Sequence, residues 1–246
     1  MISIIIPVHN AESFIEETVA SVKAQTYTDW ELLLVENGST DDSLRVCTLL
    51  SEGDGRIRVL QSNGVGAAAA RNTGTVSAMG RYQCFLDADD IWRRDKLEKE
   101  LAFCEARQAA FVFTGYEFAD EKARGTGKIV RVPETISYKE ALGNTTIFTS
   151  TVMFDRKKLP VKLMLMPKVD SEDTATWWQI LRSGFTGYGL DEPLTLYRRS
   201  AKTLSSNKLE ALRRTWSLYR KVEGFGVFKS MYYFVKYAVR AVLRRL

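Results

Sequence analysis

Histidine and cysteine, two residues that commonly bind transition metals, are scarce in this sequence of 246 residues. The one histidine, His9, excludes a histidine-rich metal site and argues against a histidine-based catalytic triad. The three cysteines, Cys47, Cys84 and Cys104, are odd in number and lack the paired spacing of a zinc site, which indicates a reducing compartment. Cys84 lies within an apolar run, so we expect it to pack in the core.

Long hydrophobic runs are also absent. The longest uncharged stretch, 141–154, is too short and too polar to cross a bilayer. The N-terminus lacks the charged start and the long apolar segment of a signal peptide. We therefore expect a cytoplasmic protein that does not span a membrane.

Positive charge is concentrated at the C-terminal end. Residues 207–246 carry ten Lys or Arg and two Glu, a net charge of +8, whereas the whole chain carries +5 and the remainder therefore −3. Apolar residues recur there at helical spacing in two segments, which a break near 224–226 separates. Such a basic amphipathic tail is typical of a helix on an anionic membrane surface. The alternative is a helical hairpin docked on the rest of the chain, with its charges in solvent. No motif that reads nucleic acid accompanies these charges, so we expect no nucleic-acid partner.

In the first half of the chain, apolar runs that fit doubly buried strands alternate with segments of helical periodicity. Strands are predicted at 2–8, 30–36, 56–61, in the run leading to the acidic stretch 87–90, and at 109–118. Helices are predicted between them, and the last of these spans 93–107. This alternation predicts an α/β fold with a mostly parallel central sheet and flanking helices.

Beyond residue 118 the pattern is less regular. We expect a loop at 120–128, a short helix at 137–143, and strands at 146–154 and 185–190. A further helix is expected to be capped by Ser171 and to end at Gly184. Glu172 and Asp173 fall in the first turn of that helix, where the helix dipole favours acids. Capping and catalysis are both open for these two acids. Trp177 and Trp178 follow, either as core residues or as rings for stacking on a sugar.

The acidic stretch Asp87-Ala88-Asp89-Asp90 places three carboxylates at the end of a buried strand. Carboxylates so close together repel one another, and a divalent cation among them would relieve the repulsion. The predicted strand ends bring His9-Asn10 and Glu36-Asn37 to the same edge, which is where open α/β sheets bind nucleotides. The alternative is an ordinary helix cap at Asp90, just as Asn10 is expected to cap the first helix.

The segment 63–74 is rich in glycine and alanine, which allow close approach of the backbone to another group. Arg71 is its one long polar side chain and suits a phosphate or a carboxylate. The alternative is a tightly packed helix with one surface arginine. The glycine pattern follows the third strand and so differs from the dinucleotide-binding fingerprint, which follows the first.

Five stretches together resemble family 2 glycosyltransferases with the GT-A fold. They are 3–10 (SIIIPVHN), 35–41 (VENGSTD), 70–74 (ARNTG), 85–90 (FLDADD) and 172–173 (ED). The resemblance covers residues 2 to about 206, and the tail is similar to that of bacterial enzymes that assemble capsular, teichuronic or related polysaccharides. It implies a GT-A domain at 1–206, divided into a nucleotide-sugar-binding half (1–118) and an acceptor-binding half (119–206), with the amphipathic tail at 207–246.

The resemblance also implies an inverting transfer from a nucleotide-diphosphosugar, with uridine as the first choice of base, to a hydroxyl of a lipid-linked or saccharide acceptor. The donor-binding residues that it implies are Pro7, His9, Asn10, Glu12, Glu36, Asn37, Arg71, Asp87, Ala88 and Asp89. Glu36 and Asn37 replace aspartates that are usual in the family. Asp89, with Asp87, would hold Mn²⁺ or Mg²⁺.

Asp173 is implied as the general base, with Glu172 beside it in the catalytic pair. The protein is expected at the inner face of the cell membrane, bound there through its tail. Two other functions stay open. One is a non-catalytic, membrane-associated scaffold with a degenerate nucleotide pocket. The other is a sugar-nucleotide pyrophosphorylase, although the glycine-rich activation loop of such enzymes is missing after the first strand.

Overall fold

A computed structural model describes residues 1–143, 146–199 and 208–243. Ten strands form one sheet: β1 (Ile2–Val8), β2 (Trp30–Glu36), β3 (Ile57–Gln61), β4 (Tyr82–Phe85), β5 (Ile91–Trp92), β6 (Phe111–Ala119), β7 (Gly125–Val130), β8 (Thr135–Ile136), β9 (Val152–Asp155) and β10 (Gly187–Arg198). The helices are α1 (Ile15–Lys23), α2 (Ser43–Glu52), α3 (Ala67–Ser77), α4 (Lys96–Ala106), α5 (Tyr138–Ala141), α6 (Val161–Met164), α7 (Glu172–Arg182), α8 (Lys208–Ser217) and α9 (Val227–Leu243).

The main path of the sheet runs β3-β2-β1-β4-β9-β6-β10-β5, with β7 paired to β6 and β8 to β10. Strands β3, β2, β1 and β4 are parallel. Strand β9 is antiparallel to both β4 and β6, while β6 and β10 are parallel. One apolar cluster packs on each face of the sheet, which explains why the central strands are almost continuously apolar. The predicted α/β class with a mostly parallel sheet is confirmed.

Three predictions about local structure in the second half were inaccurate. The expected loop at 120–128 contains the start of β7 at Gly125, because the backbone N–H of Gly127 donates to the side chain of Glu117 and closes a hairpin. In the expected strand 146–154, the polar part forms a 3₁₀ turn, Thr149–Thr151, before β9. Strand β10 continues past Pro193 through shifts of register.

The predicted capping residues behave differently in the structure. Helix α1 begins only at Ile15, and the side chain of Asn10 instead accepts a hydrogen bond from the backbone N–H of Thr40 (2.8 Å). Ser171 does precede α7, but it has φ of 58° and its side chain makes no capping hydrogen bond. Asp90 is followed by β5, so it caps no helix. The polar side chains near these strand ends hold loops together.

The tail forms α8, a π-helical turn (Leu218–Val222) and α9, with the predicted break between the last two. It docks on the sheet domain: the ring of Tyr219 stacks on Trp178 with centroids 5.3 Å apart, and Tyr219 Oη donates to the carbonyl of Leu142. Arg182 Nη1 lies 2.8 Å from Oε2 of Glu223. The expected boundary at 206/207 and the basic residues 244 and 245 lie outside the described residues.

Helix α9 has a second apolar face that points outward. Its exposed apolar residues are Val227, Phe228, Met231, Tyr232, Val235 and Val239. Lys229, Lys236 and Arg240 are interleaved with them and are exposed as well. Within the described residues no helix combines the length and the hydropathy that crossing a bilayer requires.

Candidate active site

The acidic stretch leaves the sheet at the end of β4 as a tight loop. The backbone N–H of Asp87 donates to Oγ of Ser150 (3.0 Å), and the same hydroxyl donates to Oδ2 of Asp90 (2.6 Å). Asp90 is fully buried. Ser150 lies in the 3₁₀ turn before β9, so a segment far along the chain fixes the position of the acids.

Arg198, at the end of β10, holds the other side of this loop. Its backbone N–H donates to Oδ1 of Asp90 (3.1 Å) and its Nε to the carbonyl of Asp89 (2.7 Å). Its Nη2 binds Glu17 of α1 at 2.6 Å. Neither Ser150 nor Arg198 could be singled out from sequence, because their partners lie tens to more than a hundred positions away.

The three carboxylates of the loop disturb one another. Burial, together with the charge of Asp87, raises the pKa of Asp89 to about 6. Burial, followed by the charges of Asp87 and Asp89, raises the pKa of Asp90 well above its usual range. The loop thus concentrates negative charge that its protein surroundings only partly neutralise.

The acidic loop fits a divalent cation that binds together with a phosphate ligand. No three His, Cys, Asp or Glu side chains within the described parts of the chain are placed to hold a metal ion by themselves. Asp87 and Asp89 supply two carboxylates. Mg²⁺ sites in phosphate-handling enzymes typically use one or two, and water and phosphate oxygens fill the remaining positions.

Arg71 links the acidic loop to α7. Its Nη2 lies 2.6 Å from Oδ1 of Asp87, and its Nη1 lies 2.9 Å from Oε1 of Glu172. The arginine is only 6% exposed, so the alternative of a surface arginine on a packed helix is wrong. Burial opposes its charge, but the two neighbouring carboxylates outweigh that effect and raise its pKa. Arg71 therefore stays a cation between two acids.

Asp173 lies in the first turn of α7, beside Glu172. Its Oδ2 accepts a hydrogen bond from Oγ1 of Thr149 (3.1 Å), and its Oδ1 accepts one from the backbone N–H of Thr174 (2.6 Å). Burial raises the pKa of Glu172, although Arg71 acts in the opposite direction. The side chain of Asp173 is partly exposed and held at two points, as a base at a fixed position requires.

Trp177 and Trp178 are core residues, so stacking of either ring on a sugar is excluded. They are 2% and 1% exposed. Trp177 packs on Phe111 and Phe154, and Nε1 of Trp178 donates to the carbonyl of Ala141. They anchor α7, and with it Asp173, to the sheet.

A cavity of about 630 Å³ opens beside the acidic loop. Eight of the ten expected donor-binding residues line it: Pro7, His9, Asn10, Asn37, Arg71, Asp87, Ala88 and Asp89. Glu12 and Glu36 lie outside this wall. Glu12 accepts a hydrogen bond from the backbone N–H of Asp42, and the oxygens of Glu36 accept from the backbone N–H of Ser39 and from Gln61. These two acids shape the loops around the cavity.

A second cavity, of about 450 Å³, adjoins the first, since Val65, Gly66 and Ala67 line both. It extends past Glu172 to Leu218 and Lys221 of the tail. The two cavities place acids, the cations Arg71, Lys168 and Lys221, and a tail surface along one side of the molecule.

The sequence profile of glycosyl transferase family 2 matches residues 3–159, which include β1, the acidic loop and Arg71. The chain belongs to glycosyltransferase family 2. It is an enzyme of that family, which confirms the resemblance given by the five stretches.

Two relatives are similar over most of their length. The chain is 41% identical over 249 residues to the glycosyltransferase TuaG of Bacillus subtilis, which is provisionally assigned to teichuronic acid biosynthesis; the match covers 100% of this chain and 98% of that protein. It is 36% identical over 220 residues to WfgD of Escherichia coli, a UDP-Glc:α-D-GlcNAc-diphosphoundecaprenol β-1,3-glucosyltransferase, covering 89% and 85%.

Solved structures confirm the GT-A fold of this family 2 member. Staphylococcus aureus TarS 1–349 in complex with UDP-GlcNAc superposes with a TM-score of 0.70 at 18% identity, covering 96% of this chain and 71% of that chain. The mannosyltransferase PcManGT of Pyrobaculum calidifontis, in complex with GDP-Man and Mn²⁺, gives 0.73 at 17% identity, covering 98% and 73%.

Proposed function

We propose that the protein transfers a sugar, with inversion and with the aid of a divalent cation, from a UDP-sugar to a hydroxyl of a lipid-linked saccharide in cell-surface polysaccharide synthesis. One observation carries the proposal. Arg71 binds both Asp87 of the acidic loop and Glu172 of α7, so the expected diphosphate-binding acids and the expected base Asp173 belong to one site.

The larger cavity is the proposed donor site. Its volume of about 630 Å³ suits a nucleotide-sugar. The nucleoside would lie against Pro7, His9 and Asn10, and the diphosphate against Asp87 and Asp89. Mn²⁺ or Mg²⁺ held by these two carboxylates would neutralise charge on the departing diphosphate. A uridine donor is supported by the UDP-sugars in the names of WfgD and of the TarS complex.

Asp173 is the proposed general base. It takes the proton of the acceptor hydroxyl while that oxygen forms a bond to the anomeric carbon. The bond from this carbon to the diphosphate oxygen breaks on the opposite face, and the nucleoside diphosphate leaves with the electron pair. Thr149 and the backbone N–H of Thr174 orient the carboxylate of Asp173 for this step. Arg71 lies beside Glu172 and favours its ionised form, against the effect of burial.

The acceptor is proposed to be an N-acetylglucosamine linked to diphosphoundecaprenol, as in the name of WfgD. The outward apolar and basic face of α9 would then hold the enzyme at the inner surface of the membrane. The division into a donor half (1–118) and an acceptor half (119–206) follows the same logic, since the acidic loop lies in the first and Asp173 in the second.

A donor screen followed by a transfer assay tests the proposal. UDP-sugars are expected to raise the melting temperature in Mn²⁺ or Mg²⁺ more than GDP- or dTDP-sugars, because a ligand that binds only the folded state stabilises it. Sugar from the best donor should then appear on α-D-GlcNAc-diphosphoundecaprenol, with its anomeric configuration inverted. Absence of donor binding, hydrolysis and transfer would favour the scaffold. Release of pyrophosphate from a nucleoside triphosphate and a sugar phosphate would favour a pyrophosphorylase.

A further inference from the structure

The second cavity, of about 450 Å³, lies between the proposed donor site and the tail. Its wall comes from three parts of the chain: the start of α3 with the loop before it (65–68), the segment that leads into α7 (168–172), and the tail (217–222). The first part also lines the larger cavity, and the second ends directly before the proposed base, Asp173. A molecule in this cavity is therefore close to both the donor site and the base.

Two lysines of this wall, Lys168 and Lys221, are available to a ligand. Both are exposed, and neither side chain forms an ion pair or a hydrogen bond with the described residues. The wall also contains two acids. One of them, Glu172, is already bound to Arg71, which leaves the exposed Asp170 against two lysines. The cavity therefore favours an anion with more than one charged oxygen.

The backbone that carries Lys221 is fixed on both sides. Lys221 lies in the π-helical turn of the tail, a rare element that is frequently found at functional sites. Two positions before it, the ring of Tyr219 stacks on Trp178. Two positions after it, Glu223 binds Nη1 of Arg182 at 2.8 Å. The tail thus holds this lysine at a defined place in the wall.

The backbone near Lys168 is fixed by α3. The side chain of Asn72 exchanges two hydrogen bonds with the backbone of Met166: Oδ1 accepts from its N–H (2.7 Å), and Nδ2 donates to its carbonyl (2.8 Å). Lys168 follows two positions later. Both lysines therefore have anchored backbones and free amines, as a site for a charged group requires.

We propose that Lys168 and Lys221 bind the diphosphate of the lipid-linked acceptor in the second cavity. This assignment rests on the function proposed above, in which a diphosphate joins the acceptor sugar to its lipid. A lysine amine binds phosphate oxygens as a point charge. The sugar, attached to this diphosphate at one end, then lies beside the proposed base, Asp173. Helix α9, whose outward face is the proposed membrane contact, begins at Val227, so the lipid leaves the site close to the bilayer.

The diphosphate of the donor belongs in the other cavity. Asp87 and Asp89, the proposed metal ligands, line the larger cavity and not the smaller one. A diphosphate that carries a divalent cation is thus expected at the acidic loop, and one that is held by lysines alone is expected in the second cavity. The two sites are predicted to differ in their dependence on metal.

Calorimetry with decyl diphosphate in EDTA tests the site without any transfer of sugar. The wild-type protein is expected to bind this probe. Lys168→Gln and Lys221→Gln should each raise its Kd about fivefold, and the double variant about 25-fold, because each change removes one charge contact in water. The matched controls are Lys162→Gln and Arg213→Gln, which remove exposed cations of α6 and α8 outside the cavity and should leave the Kd unchanged. Equal losses in variants and controls, or no binding at all, would overturn the site.

Kinetics with two acceptors give the second readout. One acceptor is N-acetylglucosamine α-linked to decyl diphosphate, and the other is decyl N-acetyl-α-D-glucosaminide, which lacks the diphosphate. Lys221→Gln should raise the KM of the first about fivefold and leave the KM of the second and of the donor unchanged. An equal rise in the donor KM would assign the lysine to the donor and contradict the proposal.

An anionic lipid headgroup offers similar phosphate chemistry, and vesicles distinguish it from the acceptor. Lys221→Gln and Arg213→Gln should bind phosphatidylglycerol vesicles alike, because each removes one exposed charge of the tail. If Lys221→Gln loses vesicle binding selectively and keeps the wild-type affinity for decyl diphosphate, the lysine binds the membrane and the proposal is wrong.

The proposed function and the diphosphate site fail in different ways. A protein that binds decyl diphosphate through Lys168 and Lys221 but transfers no sugar would contradict the proposed function and leave the site in place. A protein that transfers sugar, and whose lysine variants keep the wild-type KM for the diphosphate acceptor, would contradict the site alone.

Discussion

Nη1 of Arg71 lies 2.9 Å from Oε1 of Glu172, and this contact joins a helix of the first half of the chain to one of the second. The same guanidinium binds Asp87 at 2.6 Å. The acid next to the proposed base and the first acid of the acidic loop therefore share one cation. A substitution of Arg71 will therefore remove a contact of Asp87 and a contact of Glu172 at the same time.

Replacement of Arg71 by methionine should destabilise the fold. The change leaves the partly buried carboxylates of Asp87 and Glu172 without their cation, and breaking a buried ion pair typically costs about 3 kcal/mol of unfolding free energy. Chemical denaturation measures this loss. Arg45→Met is the control, because its pair with Asp42 is exposed and is worth less than about 1 kcal/mol. Similar small losses in both variants would mean that Arg71 is not the link described here.

Asp173→Asn should abolish transfer and preserve donor binding. The amide has nearly the same shape but cannot accept the proton, and general-base catalysis is commonly worth about 10²–10⁴-fold in rate. Calorimetry with the donor and a transfer assay separate the two effects. Asp170→Asn removes an exposed acid three positions earlier and should behave as wild type. Turnover by Asp173→Asn at the wild-type rate would remove Asp173 from the mechanism.

Asp89→Ala should make donor binding independent of the divalent cation. In the proposed donor site the aspartate supplies one of two carboxylates beside the diphosphate, and Asp87 is already bound to Arg71. Calorimetric titration of donor with and without Mn²⁺ gives the comparison. Asp95→Ala, at the start of α4, removes an acid that pairs only with Lys99 among the described contacts and serves as the control. Metal-dependent binding that persists in Asp89→Ala would refute its role as a ligand.

Phe228→Ser combined with Met231→Ser should weaken binding to anionic vesicles at least tenfold. Phe228 is 93% exposed and Met231 48%, and burial of such side chains in the membrane interface is worth about 2 kcal/mol each. Flotation with phosphatidylglycerol vesicles, at low and high salt, measures the binding. Leu44→Ser with Leu49→Ser on α2 is the control, because it changes two apolar residues away from the tail that are 47% and 55% exposed. If both double variants float alike, the outward face of α9 does not bind the membrane.

The three thiols should resist modification in the folded protein. All three are buried, and burial raises the pKa of Cys47 and of Cys104 to about 12, so that about one thiol in ten thousand is ionised at pH 8. Reaction with Ellman's reagent should be slow in buffer and should reach three equivalents in guanidinium chloride. One fast equivalent under native conditions would show that a thiol is accessible.

The strands could be predicted from the sequence where burial on both faces of the sheet requires a continuous apolar run, as in β1 and β2. The acidic loop could be predicted as a candidate site because three carboxylates directly after a buried strand are uncommon in a protein core. The roles of Ser150 and Arg198 were not predicted, because only the fold brings these two polar residues to Asp90. Local sequence patterns do not predict contacts between segments that are distant along the chain.

The capping predictions were wrong for a related reason. Asn10 and Ser171 have side chains that suit a helix start, but loops compete for the same hydrogen bonds. Asn10 binds Thr40 in the neighbouring loop, and Ser171 takes a left-handed backbone conformation. Helix-start propensity predicted the approximate position of each helix. Tertiary contacts determined which hydrogen bonds the polar side chains make.

The stacking of Tyr219 on Trp178 has a practical consequence for anyone who shortens this protein. A fragment that stops before Lys208 would uncover the indole of Trp178 and leave the carbonyl of Leu142 without its donor. Such a fragment is expected to aggregate during purification. Crystallisation trials are better served by surface changes on the outer side of α9 that leave the chain at full length.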